Sequence, residues 1–426
     1  MRRAAIVMPM RTPVGLPGGA LSEVPPHRLI ATVLTAVLGR SGLDPLRVEQ
    51  VVTAVPDPES VTAALPLAGL SPTLGDFAVG PGPGGGLRAL ITATMMVNTG
   101  AADVVLVVGA EYASGTRRPV PRPPAPASRD ADDDTLTTDE HVALWATAEP
   151  GRGHREWQAA DRLGDHYGLT RADVDNYAAA SHRRAARARR QGIFGAETAP
   201  VVVCADPHDV NSPVRQLVDR DEGLRDDVSP RAFAALAPFH AAGVTTVGNS
   251  SVRTLAASAC LVIAEDRLAD LGLEPMAYLV GWATAAAEPG APVPAATPAV
   301  AQALWRSGFD LADLDLLEVE ETSAADVLAL AHTLGLEERE LLNVHGGAIA
   351  LGDPGGASAL RMVTTMLHEL SRRDGGLGLA VTPTGPGRSL AAVFESPNLE
   401  PVSQAPLGAR FRGAGSKRSG RHRNRS

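Results

Sequence analysis

Two residues between Asn343 and Ser358 are of types suited to chemistry. His345 sits in a glycine-rich turn, Asn343-Val344-His345-Gly346-Gly347, and Asp353 opens Asp353-Pro354-Gly355-Gly356. An imidazole can serve as a base and a carboxyl as an acid, so both are candidates. Each also has a plainer role. A turn histidine commonly bonds backbone, and Asp353 before Pro354 has a complete explanation as the N-cap of a helix through Leu370.

The elements that would position these groups follow from pattern. An apolar run at 348–351 reads as a short strand ending at Gly352, with the helix following it. The amides at that helix start lack internal partners and can hold an anion or a developing negative charge. The device recurs earlier: Gly82-Pro83-Gly84-Gly85-Gly86 opens a helix over 87–98, and an apolar strand over 104–108 follows. Upstream, Arg40-Ser41-Gly42-Leu43-Asp44 matches Arg306-Ser307-Gly308-Phe309-Asp310. The shared order of helix, turn, strand, glycine turn, helix and strand predicts a duplicated α/β unit.

Several motifs fail on inspection. Gly80 to Gly85 satisfies G-x-G-x-x-G, but Asp103 starts a strand rather than ending one, so the dinucleotide reading is weak. Lys417 is the only lysine and lies in the tail, which excludes a P-loop. Gly248-Asn249-Ser250-Ser251-Val252 lacks the closing glycine of a nucleophile elbow. Cys204 and Cys260 are the only cysteines; both sit in apolar runs and read as buried structural thiols, with no disulfide framework or metal site.

At 426 residues and 44% hydrophobic content, two or three domains with ample core are expected. The net charge of −9 conceals a basic tail: residues 407–426 hold seven of the 39 basic groups and no acids, leaving 32 basic against 48 acidic elsewhere. An acidic body is a poor nucleic-acid binder. Pro9 and Arg11 break the first apolar run, so the start reads as a strand rather than a signal peptide, and no run approaches the roughly 20 residues that span a bilayer. A cytoplasmic protein is expected, without nucleic acid or membrane partners. Residues 116–140, rich in proline and then aspartate, read as an exposed excursion. Helical spacing resumes over 157–167 and 171–191, with an N-cap at Thr170.

Arg11-Thr12-Pro13-Val14-Gly15, Asp221-Glu222-Gly223-Leu224-Arg225, Gly248-Asn249-Ser250-Ser251 and the 343–358 block together resemble the thiolase family, over nearly all of residues 1–396. The resemblance implies the thiolase fold, a duplicated α/β domain in five layers (αβαβα) with a loop-domain insertion. It divides the chain into an N-terminal thiolase domain (1–115 and 245–270), a loop domain (116–244), a C-terminal thiolase domain (271–397) and a basic disordered tail (398–426). It also implies a homodimer or homotetramer, and acyl-CoA chemistry in lipid metabolism. The resemblance places the family's nucleophilic cysteine at Pro83, its G-H-P histidine at Asp353, its N-E-A-F asparagine at Glu320 and its second cysteine at Pro383. No catalytic group carries over, and two carboxylates would repel an oxyanion whose loss of even one donor costs about 3 kcal/mol. The expectation is a pseudoenzyme: a non-catalytic thiolase-like partner, forming a hetero-oligomer with an active thiolase-type or acyl-CoA enzyme, or an acyl-CoA-binding protein. The alternative is an acyltransferase-family enzyme with altered chemistry, retro-aldol or hydrolytic, in which Asp353, Glu320 and His345 form the candidate set, since carboxylates brought together can share a proton and act as acid and base. Ser251 and Gly248 match family positions beside CoA, the one ligand expected; no cofactor is. Glu156-Trp157 replaces the family's Met-Gly beside the acyl channel.

Overall fold

The computed structural model describes residues 2–397 except 114–152, 208, 210, 226–227, 229–232, 289–292, 337–339 and 386. The excursion at 116–140 and the basic tail lie outside the described residues.

Eleven strands are described: β1 (Ala4–Arg11), β2 (Gln50–Ala54), β3 (Asp76–Ala78), β4 (Val104–Glu111), β5 (Val201–Cys204), β6 (Val214–Val218), β7 (Ala256–Ala264), β8 (Ala277–Ala286), β9 (Leu316–Val319), β10 (Leu377–Gly385) and β11 (Arg388–Glu395). The helices that matter here are α1 (Pro26–Ser41), α2 (Pro58–Ala64), α3 (Gly85–Thr99), α4 (Gly153–His166), α5 (Arg171–Arg190), α6 (Ala296–Ser307), α7 (Ala324–Thr333), α8 (Ala348–Leu351) and α9 (Ser358–Arg372). Nine strands run in the order β3-β2-β4-β7-β1-β8-β11-β10-β9, and β5 and β6 form a separate ribbon. The order mirrors itself about its middle. β2, β4, β7 and β1 on one side answer β9, β10, β11 and β8 on the other, with β2/β4 and β9/β10 parallel and the other pairs among these eight antiparallel; β3 adds a further parallel pair at the edge beside β2. The two halves of the sheet meet where β1 pairs with β8, at Ala5↔Tyr278 and Ile6↔Ala277. The repeat read from the sequence is thus a repeat of topology.

Hydrophobic alternation explains the layering. Leu29, Ile30, Val33, Leu34 and Val37 of α1 pack with Leu106 and Leu261 on the outer face of the first half-sheet. The inner faces of both halves close on α3 and α9, through Leu87, Leu90, Leu360, Val363, Met366 and Leu367. α6 and α7 cover the far face of the second half. Helix, sheet, helix, sheet, helix gives the five layers expected, and each fully buried Leu or Val contributes about 1.5–3 kcal/mol.

The central helices can approach because three glycines meet where they cross. A Cβ on Gly86 or Gly109 would lie 2.8 or 2.3 Å from the Gly356 carbonyl, and one on Gly356 would lie 2.2 Å from that of Ala54. Every residue of α9 from Ser358 to Leu370 is buried, including Arg361, His368 and Glu369. Its polar groups therefore need internal partners. Thr365 donates to Glu197, and His368 Nε2 lies 3.0 Å from the Pro9 carbonyl.

Two local expectations fail. Residues 348–351 form the short helix α8, not a strand; a buried apolar run of four carries no periodicity that separates the two. Asp353 does not cap α9, which begins five residues later. Asp353 N donates to the Val252 carbonyl (2.8 Å) and its own carbonyl accepts from Thr254 N (3.0 Å), holding the residue in a bridge with Arg253. The chain then makes a 3-10 turn, Gly355–Ala357, before α9 starts. At α5 the expectation holds: Thr170 and Asp173 close a capping box.

Candidate functional site

Ligands of α/β proteins gather at the carboxyl ends of parallel strands. Glu320 follows β9 directly, Thr382 and Pro383 lie late in β10, and Pro83 precedes the N-cap of α3, Gly84. These segments touch. Gly84 has φ of 71°, and a Cβ there would meet Thr382 Cγ2 at 3.2 Å and the Pro383 carbonyl at 3.3 Å. The turn needs glycine on both counts. Arg88 clamps the junction, donating to the carbonyls of Pro83 (3.0 Å) and Thr384 (3.4 Å). Pro83 offers no side-chain nucleophile and no N–H.

From this junction the contacts run on to the acids. Thr382 Oγ1 donates to Glu320 Oε2. Glu320 N donates to the Val381 carbonyl (2.9 Å), which fixes the acid at the strand end. Asp353 Oδ1 accepts from Gly355 N (3.0 Å). The Ser358 hydroxyl lies beside both acids, fully buried, and closes no hydrogen bond of good geometry. Burial first, and the charge of Asp353 second, push Glu320 up to about 7, against the pull of Ser358, Thr382 and Arg361. Burial also raises Asp353, opposed by Arg253 and the Gly355 amide. The two acids interact and cannot both ionise without mutual cost.

His345 is not brought to them. Its Nε2 lies 2.8 Å from Glu369 Oε2, and Arg373 and Arg372 donate to the same carboxylate. Glu369 sits eleven residues after Ser358, about 16 Å along the helix. Burial opposes its charge, but these donors outweigh it and hold Glu369 down at about 2. Neither thiol reaches the site. Cys260 lies opposite Val107 in mid-sheet, where burial pushes its thiol up to about 12. Cys204 accepts from Arg28 at 3.1 Å.

Ser251 runs alongside, its N–H donating to the Thr322 carbonyl (3.1 Å), and Ser250 bridges Ser323. Gly248 lies under Phe233 and Leu236, since a Cβ there would come within 2.4 and 2.5 Å of their rings and methyls. Trp157 stacks on Phe239 with centroids 3.7 Å apart. Burial, with Glu156 nearby, pushes Asp326 up to about 6.

The sequence reading missed the residue that ties the frame together. Glu321 is fully buried and accepts from Tyr177 Oη (2.8 Å), Ser181 Oγ (2.8 Å), Asn343 Nδ2 (2.9 Å) and Ile349 N (3.0 Å), joining α5, the Asn343 turn and α8. Its twin acidic neighbour, Glu320, drew attention only because of the resemblance. Arg361 and Glu318 also escaped notice, a buried pair in which burial pushes Glu318 up to about 8 while Arg361 opposes. Two motifs quoted from the sequence lock each other: Arg11 pairs with Asp221 (2.7 and 3.0 Å) and Glu197, and Glu222 accepts from the amides of Leu16 and Ala20.

Comparison with known proteins accounts for this frame. Residues 4–266 match the family described as thiolase, N-terminal domain, and residues 273–396 match thiolase, C-terminal domain. An acetyl-CoA acetyltransferase of Paracoccus denitrificans is 33% identical over 403 residues, covering 93% of this chain and 100% of the relative. An acetyl-CoA acetyltransferase of Chromobacterium violaceum is 34% identical over 406 residues, covering 92% and 99%. The crystal structure of human mitochondrial 3-ketoacyl-CoA thiolase in complex with CoA superposes with a TM-score of 0.77 at 26% identity, covering 93% of this chain and 98% of that one. With both domain families matched in order along nearly its whole described length, the chain belongs to the thiolase family.

Proposed function

We propose that this thiolase-family chain holds CoA thioesters but does not carry out cysteine-dependent acyl transfer, and that it serves as a non-catalytic partner of an active thiolase-type or acyl-CoA enzyme. The observation that carries the reading is the glycine turn facing Thr382: it presents Pro83 between glycines, its carbonyl clamped by Arg88, with both cysteines elsewhere in the fold. Glu320 and Asp353 support it further, because carboxylates there oppose the negative charge that acyl transfer develops. Ser251 and Gly248 are the proposed CoA contacts, a ligand named for the human structural relative. No helix among the described residues is long and apolar enough to cross a membrane. A homodimer, a homotetramer or a hetero-oligomer in the cytoplasm, within lipid metabolism, completes the proposal.

The test has two arms. Purified protein should neither cleave acetoacetyl-CoA with free CoA nor condense acetyl-CoA, while millimolar CoA should raise its melting temperature. Thiolysis at the rate of an ordinary thiolase would overturn the reading. A second reading is favoured by the interaction of Glu320 with Asp353: altered acid–base chemistry, retro-aldol or hydrolytic, on an acyl-CoA. Turnover of a hydroxyacyl-CoA panel that vanishes in Asp353→Ala would establish it. His345 drops out of that second set, being held by Glu369.

A further inference from the structure

Resting on the proposal that copies of this chain associate, we infer that the β5–β6 ribbon is a self-complementary interface, through which β6 pairs edge to edge and antiparallel with β6 of a second copy. β5 and β6 form a two-stranded sheet, so β6 has a main-chain ladder on one side alone among the described residues. The inner face of the ribbon is seated: Val201, Val203 and Val218 are buried in the same core as α1. The outer face of such a ribbon ordinarily shows polar side chains to water. Here Val202 stands directly opposite Leu217, and the two are 41% and 55% exposed, with Val214 further along β6 at 64%. An unpaired strand edge with aliphatic side chains is a template for another strand.

The order of residues in β6 and its flank says which strand fits. About a two-fold axis through Leu217, that leucine meets its own copy, Gln216 meets Val218, and Arg215 meets Asp219 at both ends of the ladder. Residues so opposed share a face, with Cβ atoms about 4.5–5.5 Å apart, and opposite charges there attract. Moving the axis to Gln216 sets Arg215 against Leu217 and Asp219 against Pro213, and moving it to Val218 sets Leu217 against Asp219, so charge selects one register. Both charges are accessible, the Arg215 and Asp219 side chains being 46% and 56% exposed. Arg215 bonds Glu23 through one terminal nitrogen (2.5 Å), which leaves guanidinium N–H donors for a second carboxylate, and Asp219 meets its neighbour Arg220 only at 3.7 Å, beyond hydrogen-bond reach. The register with β5 shifts between Val203 and Cys204, at Arg215, which limits the new ladder to 216–218 with an ion pair at each end. An interface this small makes a weak, concentration-dependent association.

Sedimentation velocity of the full chain over about a hundredfold range of concentration reads this association. Asp219→Arg sets arginine against Arg215 of the copy at both ends and should weaken it at least about tenfold; adding Arg215→Asp restores opposite charges and should return it to within about threefold of the wild type. Glu23→Gln, which removes the partner of Arg215 within its own chain, should leave it unchanged. Leu217→Cys should be joined to its copy by a short bismaleimide, whereas Trp305→Cys, exposed on α6 in the other outer layer, should not; the native thiols are buried. Association that Asp219→Arg does not weaken or that the double variant does not recover, or a Leu217→Cys chain that does not cross-link, would overturn the inference, leaving the homo-oligomer in place and the ribbon to another partner. A monomer at every concentration would overturn the homo-oligomer as well.

Discussion

Replacing Glu320 by Gln removes a buried titrating group while keeping its shape. A carboxyl raised from 4.5 to about 7 on folding binds more protons in the native state than in the unfolded chain across that window. Its stabilising effect is therefore complete below about pH 4.5 and is lost as pH rises through about 7. The difference amounts to about 3 kcal/mol at 1.36 kcal/mol per pKa unit. Glutamine carries no such dependence, so the variant should match or trail the wild type near pH 5 and exceed it by about 3 kcal/mol at pH 8. Urea unfolding at pH 5, 6, 7 and 8, with unchanged slopes, reads this from the midpoints. Parallel wild-type and variant profiles would show that Glu320 is not held neutral by burial and Asp353, and the pairing argument would fall with them.

Other expectations follow from the same frame. Pro83→Cys returns a thiol and an N–H to the turn but leaves both acids in place, so acetoacetyl-CoA thiolysis should stay undetectable; a rate within tenfold of a working thiolase would refute the emphasis on the acids. Glu321→Ala strands three buried donors, Tyr177 Oη, Ser181 Oγ and Ile349 N, each costing about 1–3 kcal/mol, and should lower unfolding free energy by more than about 3 kcal/mol. Gly356→Ala drives a methyl into the Ala54 carbonyl and should cost about 3 kcal/mol or more, seen as a fall in melting temperature or in soluble yield. Cys260, fully buried with its thiol pushed up to about 12, should react with a thiol reagent at pH 8 only after denaturant is added.

Much of the architecture could be read from pattern because it rests on local rules. The helix after Gly84, the capping box at Thr170 and the repeated order of elements all follow from spacing and turn chemistry. The failures came where tertiary contacts decide. Residues 348–351 had no period to read, and Asp353 was drawn from its expected cap by a bridge to Arg253, a residue 100 positions away. Within the site, the proximity of Pro83, Pro383, Glu320 and Asp353 could be expected only through resemblance, since the segments are distant in sequence. Glu321 could not be singled out, because nothing local marks an acid with four remote donors. His345, weighed as a base or as a turn histidine bonding backbone, instead faces a side chain 24 residues away, Glu369, which nothing local in the sequence announces.

The glycine crossing at 86, 109 and 356 has a wider implication. There the chain touches itself main chain to main chain, so the spacing of the two central helices does not depend on which side chains stand at their mouths. Reactive positions are therefore decoupled from the hinge pins that locate them, and substitutions at 83, 320, 353 or 383 can rewrite what the opening recognises without moving its walls. A frame of this kind permits a change of trade within one shape, whereas a single methyl at the pins would spoil every trade at once.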